Sequence, residues 1–235
     1  MRQFLFYFLL FLIYSFIGWI IEVIVIGIEE KKFINRGFMI GPYCPIYGYS
    51  SIIMIFYLNH YKDNILTVFL LAIVICTTVE YLISLLMEKL FNARWWDYSN
   101  RKFNINGRVC LTNAFGFGLL GVFLVYVANP SFSKLLSKLN PQVMMIISTI
   151  LLVLFVIDLI ISLKISFKIK STVNKLKKDS TEEFSTKIKA IIESKILNRR
   201  ILKAFPRFKN NLIKDKVNNF RKEIETKIEE RKEKN

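Results

Sequence analysis

The sequence predicts an all-α membrane protein: a five-span transmembrane helical bundle over residues 1–165, N-terminus out and C-terminus in, and a basic, amphipathic helical cytoplasmic tail over residues 166–235. Three observations carry that expectation. Apolar runs occupy 4–28, 43–58, 65–87, 109–128 and 143–163. Although 53% of the residues are hydrophobic, the formal net charge is +16. Most of that excess sits behind the last run, where residues 164–235 hold 22 Lys/Arg against 10 Asp/Glu, a difference of +12. Positive residues collect on the cytoplasmic side of membrane proteins, which puts this tail inside and makes nucleic acid an unexpected partner.

The first run follows Met-Arg-Gln like a signal sequence. It is too long for a signal h-region, contains Glu22 and lacks a small-residue cleavage site, so it is expected to remain as a helix. A hydrocarbon core of roughly 30 Å takes about 20 helical residues to cross; four runs satisfy this and the second is short. Pro45 lacks an N–H and suits the first turn of a helix, so the second span is expected to begin at about Cys44 or Pro45. Basic residues fall after spans one and three, at Lys31, Lys32 and Arg36 and at Lys89, Arg94, Arg101, Lys102 and Arg108. The other ends carry Arg2, Lys62, Lys134 and Lys138. Five crossings place the richer set inside with the tail. In the alternative, the second run dips in and returns, which would leave Lys31, Lys32 and Arg36 outside.

In the tail, Ser180-Thr181-Glu182-Glu183 fits a capping box, followed by Phe184, Ile188, Ile191, Ile192 and Ile196 at helical spacing. Pro206 ends that helix. A second pattern continues through Ile213, Val217, Phe220, Ile224 and Ile228. Such helices suit an anionic lipid surface, a partner helix, or simple solvation. Cys44, Cys76 and Cys110 lack C-x-x-C spacing, and His60 is the single histidine, so neither a metal site nor a cofactor is expected.

Inside the apolar runs lie Glu22, Glu80 and Asp158, costly enough there to mark candidate sites. They stand six, seven and five residues from the inner ends of their runs, about 7 to 11 Å below the inner face. Asn113 enters the same layer from span four. Ser15, Gly18 and Glu22 form one helical stripe, and Thr77, Glu80, Ser84 and Glu88 another. Gly116, Gly118 and Gly121 suit close helix packing. Beside this layer runs an irregular stretch, residues 35–48, containing Arg36, Gly41, Pro42, Tyr43, Pro45 and Gly48. Non-helical backbone at membrane depth survives where protein or a water-filled cavity surrounds it. The loop after span three carries Trp95 and Trp96, which fit an interfacial belt, and Asp97 and Arg108, which that belt does not explain. Guanidinium groups there suit lipid headgroups, an anionic substrate or the intramembrane acids.

Phe16-Ile-Gly-Trp-Ile-Ile-Glu22 (with Gly18 and Trp19), Asn35-Arg-Gly-Phe, Gly41-Pro-Tyr-Cys-Pro-Ile-Tyr-Gly48, Glu80, Trp95-Trp-Asp-Tyr-Ser99 and Asn106-Gly-Arg-Val-Cys110 together resemble the bacterial ABC-transporter permease family called CmpB or type IV. The resemblance covers spans one to five and implies a multi-pass protein of the bacterial cytoplasmic membrane. The chain has no G-x-x-x-x-G-K-[ST] loop and no Gly-Lys pair, so an ATPase is expected as a separate subunit at the inner loops. A short helix around residues 88–96 would be its coupling element. The alternatives are an enzyme acting on a lipid or isoprenoid phosphate, with Glu22 or Glu80 as base and Arg36 and Arg108 on the phosphate, or a membrane scaffold.

Overall fold

A computed structural model describes residues 2–31, 33–91 and 94–178. The helices expected at 180–228 lie outside the described residues. Six α-helices follow in order: α1 (Arg2–Glu30), α2 (Pro45–Leu58), α3 (Ile65–Phe91), α4 (Leu111–Phe123), α5 (Asn129–Ser137) and α6 (Pro141–Lys178). A two-residue antiparallel pair, β1 (Asn104–Ile105) and β2 (Val109–Cys110), turns through Asn106 and Gly107, both at positive φ. Among the described residues, four helical segments are long and apolar enough to cross a membrane: Arg2–Ile28, Ile65–Phe91, Leu111–Ser137 and Pro141–Lys168.

The third of these joins α4 to α5 through a π turn at Leu124–Ala128. Pro130 offers no N–H to the carbonyl four residues earlier, and widening the helix just ahead of it relieves the misfit.

At the end of the bundle away from the basic loops, α1 to α5 and the start of α6 close on one apolar core. Leu10, Leu58, Val68 and Val125 lie at its centre, with Leu9, Met54, Ala72 and Met144 around them. Lipid tails are as apolar as leucine, so dispersion between interlocked side chains drives this contact.

The basic end is organised around the irregular segment between α1 and α2. The Cys44 N–H donates to the Ser15 carbonyl at 2.9 Å. Ser15 sits near the middle of the 29-residue α1, about 22 Å from its Glu30 end by helical rise. The chain therefore descends to mid-bundle without helical structure before α2 begins at Pro45. With 14 residues, α2 is about 21 Å long, short of a membrane span. Its axis lies on the Ser15, Gly18 and Glu22 stripe of α1. A Cβ on Gly48 would stand 2.3 Å from Ser15 Oγ and 2.6 Å from the Phe11 carbonyl, while one on Gly18 would enter the Tyr47 ring. Gly48 lets the α1 and α2 backbones touch, and Gly18 makes room for the Tyr47 ring.

The Ile40, Gly41, Tyr43 and Cys44 N–H groups of this descending segment all have acceptors, as an environment poor in water favours. Asp158 on α6 accepts the Ile40 N–H at 2.9 Å, the Gly41 N–H at 2.7 Å and the Tyr43 hydroxyl at 2.5 Å; Ser162 donates to it at 2.9 Å. Asn35 takes the Trp19 indole N–H at 2.7 Å. Asp158 thus fastens the segment to the last helix.

Candidate functional site

Between the descending segment, α2 and α3 lies a chamber of about 430 Å³. Its walls are largely apolar, from Ile17 and Ile21 on α1 to Leu86 on α3 and Phe155, Leu159 and Leu163 on α6. Its polar lining includes Glu22, Arg36, Tyr47, Ser50, Ser51, Glu80 and Tyr98. A mainly apolar cavity with a few converging polar groups is the usual form of a small-molecule site.

The two carboxylates differ in how they are held. Glu22 accepts the Tyr47 hydroxyl at 2.8 Å and pairs with Arg36 Nε at 3.4 Å. Glu80 is 7% exposed and accepts the Tyr98 hydroxyl at 3.2 Å through Oε1. Among the described residues, its shielded Oε2 has no hydrogen-bond partner. Burial, with the Glu80 and Glu22 carboxyls nearby, pushes the Tyr98 phenol above its ordinary range, so its O–H remains a donor. Glu22 has a cation beside it, whereas Glu80 is met by a neutral phenol.

A second polar cluster secures the loop after α3. Arg108, 7% exposed, reaches Glu88 at 2.6 Å and Ser84 at 3.2 Å, both on α3, and lies over the Tyr81 ring. Arg94 joins Glu88 at 3.2 Å and the Asn106 carbonyl at 3.1 Å. The separate helix expected over 88–96 does not form: Glu88 to Phe91 complete α3, and Arg94 to Trp96 are non-helical as Arg94 turns back to these partners. Trp95 is 3% exposed and packs edge-on to Phe38 and Phe91, and the Trp96 indole N–H donates to the Arg108 carbonyl at 2.9 Å. Both tryptophans have partners within the loop and the segments packed against it. Asp97 caps a turn by accepting the Ser99 N–H and hydroxyl.

Of the residues singled out in the sequence, Glu22, Arg36, Glu80, Gly18, Pro45, Trp95 and Trp96 line the chamber. Arg108, Asp97 and half-buried Asn113 are not among its lining residues, so Arg36 and Arg108 do not share it. Trp19, Gly41, Tyr43 and Gly48 shape the descending segment and its seat on α1, and Pro42 is exposed at its turn. Tyr47 and Tyr98, which contact the two acids, were not candidates from sequence; tyrosines at the ends of apolar runs look like interfacial anchors. No group of three or more His, Cys, Asp or Glu side chains among the described residues is placed to hold a metal ion.

The model of one protein family, described as Putative ABC-transporter type IV, matches residues 9–163, which include every element that builds the chamber. No curated protein and no solved structure matches the chain.

Proposed function

The chain belongs to this family, and from that premise we propose that it is the permease component of an ABC-type transporter in the bacterial cytoplasmic membrane, lacking an ATPase of its own. In this reading the chain crosses five times, N-terminus out and C-terminus in. The second crossing is composite: the descending segment supplies the inner half and α2 the outer half. In this reading the polar site of the chamber opens to the cytoplasmic face, and the outer side is closed by the apolar core. A broken span whose helix starts at mid-membrane beside ionisable groups is a recurrent arrangement in transporters. The chamber between that break and Glu80 is the observation that carries the reading.

The loop from Arg94 to Cys110, stiffened by its turn and by the Arg108–Glu88 pair, is the natural docking surface for a separate ATPase subunit. The basic tail adds affinity for anionic lipid or a partner helix. Purification of the full chain from its own membrane in mild detergent, followed by mass spectrometry, tests this. A nucleotide-binding subunit in constant ratio to the chain is expected. Its repeated absence, even after cross-linking from a cysteine placed at Lys102, would overturn the reading. Orientation has its own test: Lys31→Cys should resist an impermeant thiol reagent added outside intact cells, whereas Asp63→Cys should react.

A further inference from the structure

We propose that the chamber binds an amphiphilic organic cation, with its charged head against the Glu80 carboxylate and its apolar body among Leu86, Phe155, Leu159 and Leu163. The proposal deepens the transport reading and rests on it for its purpose. Its chemistry rests on the chamber.

The charged groups that face this space decide the sign of the ligand. Glu22 comes from α1, Glu80 from α3 and Arg36 from the descending segment; no other Lys, Arg or His is among the lining residues. Arg36 is held by Glu22, so that pair offers no clear net charge to a guest. Glu80 keeps one shielded oxygen without a hydrogen-bond partner among the described residues. An ionised carboxylate in such surroundings is costly unless a positive group joins it, and a cation in the chamber does so. An anion would meet the opposite balance.

The rest of the ligand follows from the walls. Apart from Glu22, Glu80, Arg36, the tyrosines, Ser50 and Ser51 they are mostly aliphatic and aromatic, which fits a hydrocarbon body better than a fully polar guest. Leu86 and Leu90, one turn apart on α3, line the chamber while being 50% and 37% exposed. The chamber is therefore open along a flank that lipid would cover, giving an amphiphile a lateral way in.

The test uses the full chain in nanodiscs of zwitterionic phosphatidylcholine, with binding measured by equilibrium dialysis against empty discs. The probes are tetraphenylphosphonium and tetraphenylborate, which share a shape and differ in sign. Saturable binding of the cation is expected, with at least tenfold weaker binding of the anion. Glu80→Gln keeps the size and the acceptor for Tyr98 and should weaken cation binding at least tenfold. Leu159→Trp, with Glu80 intact, should weaken it comparably by filling the apolar part, and stands alone if Glu80→Gln does not fold. No saturable cation binding, equal binding of both ions, or cation binding unchanged by the substitutions would overturn the proposal. The assay contains no ATPase. Glu80-dependent cation binding without a co-purifying ATPase would preserve this site and remove the transporter reading; the reverse pair of results would do the opposite.

Discussion

At one end of the bundle Leu10, Leu58, Val68 and Val125 meet at 0 to 1% exposure; at the other, Glu22, Arg36, Glu80 and two tyrosines border a chamber of about 430 Å³. The same helices, α1, α2 and α3, contribute to both. At the packed end each side chain is held by its neighbours, and the helices are fixed there. That fixation lets the other end keep space, a break in one helix and a carboxylate whose second oxygen is unmatched. Stability is concentrated in one half so that the other half can carry polar groups that packing alone would exclude.

Four substitutions break or sharpen this contrast. The largest effect is expected at the packed end, where Leu58→Ala removes a fully buried side chain and should cost about 2–5 kcal/mol in equilibrium unfolding in mixed micelles. Asp158→Ala loosens the seam between the halves. Leaving the Ile40 and Gly41 N–H groups without their acceptor should cost about 2–4 kcal/mol. It should also raise the modification rate of buried Cys44, read with a small thiol reagent. Arg108→Lys keeps the charge but loses the fork that reaches Glu88 and Ser84 together. A loss of about 1–2 kcal/mol is expected, with the loop becoming more sensitive to protease near Arg101. Glu80→Gln should run the other way. Removing a buried carboxyl whose second oxygen lacks a hydrogen-bond partner among the described residues should leave stability unchanged or raise it by about 1 kcal/mol, while ligand binding falls. A large destabilisation there would mean that Glu80 is a structural residue of the same kind as those at the packed end.

Much of this arrangement can be read in the amino acids, for definable reasons. Apolar length locates α1, α3 and α6 because a membrane-length helix must be written as a continuous run. Pro45 marks the start of α2 because a missing N–H is harmless at the first turn. Counting helical rise brings Glu22, Glu80 and Asp158 to similar depth, since depth in a straight helix is linear in residue number. What those acids touch is not linear in residue number. Asp158 binds backbone N–H groups from 117 and 118 positions away, and any residue except proline can supply a backbone N–H. Tyr47 and Tyr98 reach the acids because of where a broken helix and a folded loop place them. The small β turn had a local signal, Asn106-Gly107 between Ile105 and Val109, which apolar-run reading passes over. Arg108 is a loop residue by sequence and a buried one in the fold because Glu88 and Ser84 extend the α3 stripe beneath it.

The clasp between Asp158 and the segment before α2 also bears on the order of assembly. The segment emerges from synthesis right after α1, yet the acceptor for its Ile40 and Gly41 N–H groups belongs to α6, the last of the described helices to be made. Until α6 arrives, the segment lacks the partner that keeps its backbone satisfied at depth. It is expected to wait near the basic surface and take its final position once α6 has inserted. The chamber would then be among the last parts of the bundle to form, completed by docking of the final helix rather than by the early pairing of α1 with α2.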